Sequence, residues 1–240
     1  MGAIWDPADY RGQVEVAISA TQLAGVGVTP SRAKRILADW IELLSSGQLP
    51  IEKLALTSRV PQDLLDAVAG LPKLRELRVK WGPYADLAPL RSLSNLRVLT
   101  LRGATKLTSV EPLAGLKELE TLELSEVFRL SDPSPLRDLR GLRALTFGNA
   151  SLSSDRVVTV TSVDFLVALE KLESLRLPGT RLVEPDLSVF LQLPRLTHLW
   201  IPLRRAYRDQ VFALAETSTV FAAVKENYLV SEERIGKGGQ

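Results

Sequence analysis

The sequence predicts an α/β fold, a right-handed repeat solenoid shaped as a horseshoe. It has a parallel concave sheet, short convex helices or 3-10 turns, and a helical N-terminal cap. Three observations predict it. Apolar residues recur in the order L-x-x-L-x-x-L-x-L, a series of prolines keeps the same register, and the first fifty residues carry helical spacing instead.

The copies can be read directly. Leu71, Leu74, Leu77 and Val79 form one, Leu93, Leu96, Leu99 and Leu101 the next, then Leu116, Leu119, Leu122 and Leu124. Leu139, Leu142, Leu145 and Phe147 follow, then Leu169, Leu172, Leu175 and Leu177, and finally Leu193, Leu196, Leu199 and Ile201. A degraded copy precedes them at Ile51, Leu54 and Leu56. Successive first leucines are separated by 22, 23, 23, 30 and 24 residues. In the L-x-L portion, side chains alternate across a short strand, so both apolar residues point inward and the middle one points out. Stacking strands about 4.8 Å apart brings the leucines of neighbouring copies together. A single copy cannot bury its own leucines, so the array folds by stacking.

The return half of each copy reads Ala-Asp-Leu-Ala-Pro-Leu (85–90), Ser-Val-Glu-Pro-Leu (109–113) and Asp-Pro-Ser-Pro-Leu (132–136). Pro89, Pro112 and Pro135 preset φ for the first turn of a helix, where no N–H is needed. Asp86, Ser109 and Asp132 supply capping oxygens just upstream. One-turn α or 3-10 segments are expected here, with longer helices at 61–69 and 185–192.

This pattern resembles the leucine-rich-repeat superfamily over roughly residues 51–203. The 22–23-residue period is similar to the subclass of the protein phosphatase 1 regulatory subunit and the bacterial internalins. Members of the family usually carry asparagine three residues after the L-x-L, where its side chain holds the turn. Here Gly82, Ala104, Val127, Ala150, Thr180 and Arg204 stand in its place.

Solenoid ends expose core and need covers. The expected organisation is a cap over 1–50 with a helix at about 31–46, repeats over 51–203, a C-terminal cap over 204–230, and a mobile tail over 231–240. Thr29-Pro30-Ser31 starts the first helix, and Ile36, Leu37, Trp40, Ile41 and Leu44 follow at helical spacing, with Trp40 as core. Before it, Val14, Val16 and Ile18 alternate as in a short strand. Residues 206–216 read as a helix, and Val220 to Val224, 22 residues past Leu199, as a final edge strand. The fifth copy carries extra residues near Ala150 to Asp155, before the β-prone run Arg156 to Thr161. They are either structural drift or a loop that touches a partner.

Composition narrows the function. A formal charge of only +2 does not call for a polyanion, so nucleic acid is an unfavoured partner. The absence of cysteine excludes disulfides and thiol chemistry and fits a reducing compartment. The opening residues lack an apolar signal core, and no apolar run approaches the roughly 20 residues of a membrane span. A cytoplasmic bacterial protein is the expectation. His198 is the sole histidine, so a histidine-rich metal site is excluded, and no phosphate-cradling glycine motif occurs. Neither cofactor nor metal is expected, and neither is catalysis. A Ser174, His198 and Glu123 triad can be drawn, but it would lie on a regular sheet with no strained nucleophile turn.

The outward column between the paired apolar residues is Ala55, Arg78, Thr100, Glu123, Thr146, Arg176 and Trp200. Beside it, Arg78, Lys80 and Arg102 cluster near Trp81, while Arg176, His198 and Trp200 meet at the far end with Glu123 two strands away. Arginine and tryptophan are enriched in interface hot spots. These eight residues are the candidate partner-binding set. The cations either pair with Glu76 and Glu123 or await an acidic protein partner, and Trp200 is either covered by the C-terminal segment or left for that partner. The leading expectation is a protein-interaction module: an adaptor, regulator or inhibitor. The rivals are an immunity protein that neutralises a toxin, a nucleic-acid binder, and an enzyme whose site lies outside the repeats.

Overall fold

Each copy of the apolar pattern forms a strand, because only an extended backbone aims both flanking leucines inward. The computed structural model describes residues 2–151 and 155–237. These form strands β1 (Glu15–Ile18), β2 (Lys53–Arg59), β3 (Glu76–Trp81), β4 (Val98–Leu101), β5 (Thr121–Ser125), β6 (Ala144–Gly148), β7 (Val158–Val160), β8 (Ser174–Arg176), β9 (Thr180–Leu182) and β10 (His198–Trp200). The concave sheet is parallel in the order β1-β2-β3-β4-β5-β6-β8-β10, and β7 and β9 form a separate parallel pair. Register is set by the leucines. Leu77 faces Leu99, Leu99 faces Leu122, Leu122 faces Leu145, Leu145 faces Leu175 and Leu175 faces Leu199.

The convex side returns through 3-10 turns at Ala88–Ser92, Glu111–Leu113, Ser134–Asp138, Asp164–Ala168 and Leu187–Gln192. Pro89, Pro112 and Pro135 stand at their starts as expected. The upstream oxygens act two residues on, as Asx and Ser turns do. Asp86 accepts from the Ala88 amide at 2.8 Å, Ser109 from Glu111 at 3.2 Å and Asp132 from Ser134 at 2.8 Å. Of the two longer helices expected, 61–69 forms helix α2 (Gln62–Ala67) and continues as a 3-10 turn over Val68–Gly70. The stretch at 185–192 tightens into the 3-10 turn Leu187–Gln192.

Before α2 lies α1 (Pro30–Ser45), capped by the Thr29 hydroxyl, which accepts from the Arg32 amide at 3.4 Å. Trp40 is fully buried, and its indole N–H donates to the Trp5 carbonyl at 2.9 Å, so it is core. The N-terminal cap is more than a covering helix. It contributes β1 to the sheet, and α1 packs on α2 within the convex layer.

At the positions where the family carries asparagine, Ala104, Val127 and Thr180 are buried. The turn is held in other ways. The Glu126 amide donates to Gly148 O at 2.7 Å and the Asn149 amide to Pro178 O at 2.6 Å. Gly148, at φ 142°, permits this close approach, since a Cβ there would lie 2.1 Å from Pro178 O. Elsewhere side chains reach in. Tyr84 OH donates to Arg102 O at 3.2 Å, Arg204 Nε donates to Thr180 O at 2.8 Å, and the Leu182 amide donates to Tyr207 OH at 2.8 Å. Burial pushes the Tyr84 hydroxyl's pKa up, helped by nearby Glu126.

The C-terminal end departs from the expectation. Helix α3 (Arg205–Leu214) forms as read, but Val220 to Val224 is not an edge strand. It belongs to α4 (Thr219–Lys237), because Phe221, Val224 and Tyr228 repeat at helical spacing and all three are buried. The stretch from Ser231, read as a mobile tail, continues this helix to Lys237, and Glu232 pairs with Arg208 at 2.7 Å. Residues 238–240 lie outside the described residues. The extra residues of the fifth copy include 152–154, also outside them. The β-prone run beyond supplies β7, and Arg156 stacks on the Phe128 ring at 3.8 Å.

Core burial is uneven along the array. Leu119 and Leu122 are wholly buried, whereas Leu193, Leu196 and Leu199 rise to 5, 8 and 9% exposure.

Candidate functional site on the concave face

The outward residues of the sheet form rows across strands. Arg78 faces Thr100, Thr100 faces Glu123, Glu123 faces Thr146, Thr146 faces Arg176 and Arg176 faces Trp200. The floor between the two ends therefore has Glu123 flanked by two threonines, with Arg78 at one end and Arg176 and Trp200 at the other.

Five of the eight candidates converge. Lys80, Arg102, Glu123, Arg176 and Trp200 line one open cavity of about 680 Å³ with Thr146. Pro178 and Gly179 line it as well. The other three stand apart. Arg78 and Trp81 lie toward the N-terminal end, and His198 faces Ser174 with its Nδ1 2.9 Å from the Thr197 hydroxyl.

The basic cluster is largely neutralised within the chain. Arg102 donates twice to Glu123, at 2.7 and 3.1 Å, and Arg78 pairs with Glu76. Glu123 thereby holds the Arg102 guanidinium's pKa above its usual value. Lys80 and Arg176 have no ion pair among the described residues. The drawn triad does not assemble, since Glu123 is engaged by Arg102 and His198 by Thr197. Among the described residues no group of three or more His, Asp or Glu is placed to hold a metal ion.

Both tryptophans stay partly open, Trp81 at 38% and Trp200 at 41%. Trp81 packs on Gly103, where a Cβ would lie 2.6 Å from the Trp81 Cβ, so the glycine is what lets the two copies approach here. Helix α4 packs along the β10 edge without covering Trp200. Between them runs a groove of about 330 Å³ that Trp200 shares with Leu203, Val224, Asn227 and Val230.

Sequence reasoning missed part of the cavity wall: Glu126, Asn149 and Gly179. Glu126 is half-buried in the left-handed region at φ 62°, costly for a residue with a Cβ. A signal for it exists. Gly103 and Gly179 stand at the same offset, two residues past the last apolar residue of their copies, at φ 58° and 57°, so Glu126 takes a backbone conformation that two other copies give to glycine, while Trp81, Asn149 and Leu203 hold the offset without it.

No protein-family model matches this chain, and no curated protein does. Among solved structures, internalin C2 from Listeria monocytogenes is similar at 26% identity with a TM-score of 0.52, over 66% of this chain and 64% of that one. The chain is a leucine-rich-repeat solenoid. A plant peptide hormone receptor, RGFR1 in complex with RGF2, shares the fold at 18% identity and a TM-score of 0.52, over 67% of this chain and 26% of the receptor. The leucine-rich-repeat chain thus spans less than two thirds of either relative's length. Leucine-rich-repeat geometry also accounts for the site. Alternation fixes which residues are outward, and parallel stacking lines them up from separate copies. Among the described residues no helix is long and apolar enough to cross a membrane.

Proposed function

We propose that this leucine-rich-repeat protein is a protein-interaction module, an adaptor, regulator or inhibitor that holds a macromolecular partner against its concave sheet. The observation that carries the reading is convergence. Residues from six repeats, Lys80 to Trp200, share one open cavity on that face. The surface is broad and shallow, of the kind that grips another surface. Closed apolar pockets are where small ligands are held. Its charge is mixed, because Glu123 and Glu126 line the same cavity as the cations. That favours a polypeptide over a phosphate polymer, whose binding draws on an excess of cations. An acidic patch on the partner would find Lys80 and Arg176, the cations free of an internal carboxylate. The cysteine-free sequence supports action in a reducing cytoplasm.

The test places a bulky cation on the cavity floor. Thr146→Arg should abolish affinity capture of the native partner from the source organism while leaving the circular dichroism spectrum unchanged. Capture at the wild-type level would move the site off the concave face.

A further inference from the structure

We propose that the C-terminal half of the concave face recognises an extended polypeptide segment with an Asp or Glu close to a large apolar side chain. Arg176 takes the carboxylate and Trp200 the apolar group. The inference rests on the concave face being the binding surface and specifies its chemistry.

Arg176 is singled out by its surroundings. From β3 to β10 the other outward arginines, Arg78 and Arg102, are engaged by Glu76 and Glu123. Arg176 lies between Thr146 and Trp200 in register, and neither neighbour can neutralise it. An exposed guanidinium flanked by Thr146 and Trp200 offers both arms of its fork, the geometry that binds a carboxylate through two parallel hydrogen bonds.

Trp200 supplies the second half. Its ring is the boundary between the 680 Å³ cavity and the 330 Å³ groove beneath α4. On the groove side Leu203 and Val230 are themselves 42 and 44% exposed. A partner side chain laid there would cover three apolar groups that the chain leaves open. Arg176 and Trp200 sit on adjacent strands, about 4.8 Å apart. In an extended segment, same-face side chains recur about every 6.6 Å, so acid and apolar group should be two residues apart. Glu123 and Glu126 on the same cavity disfavour a polyanion and keep the carboxylate to the Arg176 side.

The test uses the full chain and a phage-displayed library of random dodecapeptides. Enriched peptides should share Asp or Glu two residues from Trp, Phe, Leu or Ile. A fluorescein-labelled copy of the best one is then titrated by fluorescence polarisation. Arg176→Gln should weaken it about tenfold, the scale of a lost charged hydrogen-bond pair. Trp200→Ala should weaken it about thirtyfold, as for a hot-spot aromatic. Replacing the peptide's Asp by Asn should reproduce the Arg176→Gln loss on the unaltered protein. Arg97→Gln, on the flank where it pairs with Glu120, should change nothing. Loss of binding in Thr146→Arg with none in Arg176→Gln would overturn the assigned chemistry and leave the concave face standing. Binding untouched by either would overturn both. A library that enriches no peptide, or peptides without an acidic residue, also overturns the proposal.

Discussion

Gly148→Ala should be among the most damaging single-methyl changes available in this protein. The glycine ends β6 at φ 142°, and an added Cβ would sit 2.1 Å from the Pro178 carbonyl oxygen and 2.7 Å from the Thr180 methyl. Relief requires the carbonyl to retreat by more than about 1 Å, judged against the 3.4–4 Å of ordinary van der Waals contact. That same oxygen accepts the Asn149 amide at 2.6 Å. Losing the bond and orphaning the amide costs roughly 1–3 kcal/mol. The disfavoured φ adds on the order of 1–3 kcal/mol. A net loss of about 3 kcal/mol is a large share of the 5–15 kcal/mol that typically holds a domain together. With urea slopes of about 1–3 kcal/mol per molar, the unfolding midpoint should drop by about 1–3 M, followed by far-UV circular dichroism. Gly115→Ala is the control, because nothing lies within 4 Å of a Cβ there and its φ is not positive. It should be neutral or gain a few tenths of a kcal/mol. If both variants unfold at the wild-type midpoint, the tight crossing between repeats is not what holds this turn.

Three further perturbations probe the turns and the C-terminal end. Tyr207→Phe removes the hydroxyl that accepts the Leu182 amide, leaving a buried N–H without a partner, and should cost about 1–3 kcal/mol in urea unfolding; an unchanged midpoint would show that the amide finds another acceptor. Ending the chain at Ser218 strips buried Phe221, Val224 and Tyr228 from the last repeat, so size-exclusion chromatography should show aggregation, and a stable monomer would refute the capping role of α4. Acid should destabilise the fold. Hydrogen bonds from the Ser134 and Ser188 hydroxyls and amides hold Asp132 and Asp186 below their usual 3.8, and Arg208 holds Glu232 below 4.5. Because these folded-state values are lowered, their stabilisation is complete above about pH 5 and is lost as pH falls through the folded values. The thermal midpoint should therefore fall between pH 5 and 3, less steeply in Asp132→Asn, and a flat profile would contradict the assignment.

The repeats were legible because burial of leucine at fixed offsets is a geometric necessity, and every paired strand obeys it. The convex turns were legible for a similar reason, since Pro89, Pro112 and Pro135 fix φ locally. The C-terminal helix was misread because Phe221 lies one repeat length past Leu199. The i, i+3, i+7 spacing of Phe221, Val224 and Tyr228 is the stronger signal. Of the candidate surface, the columns were readable, and pairing with Glu76 and Glu123 was one of two alternatives that the sequence left open. Arg102 and Glu123 belong to different columns of neighbouring strands, and only side-chain geometry shows that they meet on the diagonal. Tyr84 and Tyr207 gave no periodic signal at all, because each serves a single turn.

The rise in exposure from Leu122 to Leu199 has a kinetic consequence. In a stacked array each repeat is steadied mainly by its neighbours, so opening starts where the stack is thinnest. Amide hydrogens of β10 and β8 should exchange with solvent sooner than those of β4 and β5, and folding should zip outward from the middle. The face bearing Arg176 and Trp200 lies on this fraying end, so a bound segment would act as a clasp and slow exchange farthest from the N-terminal cap.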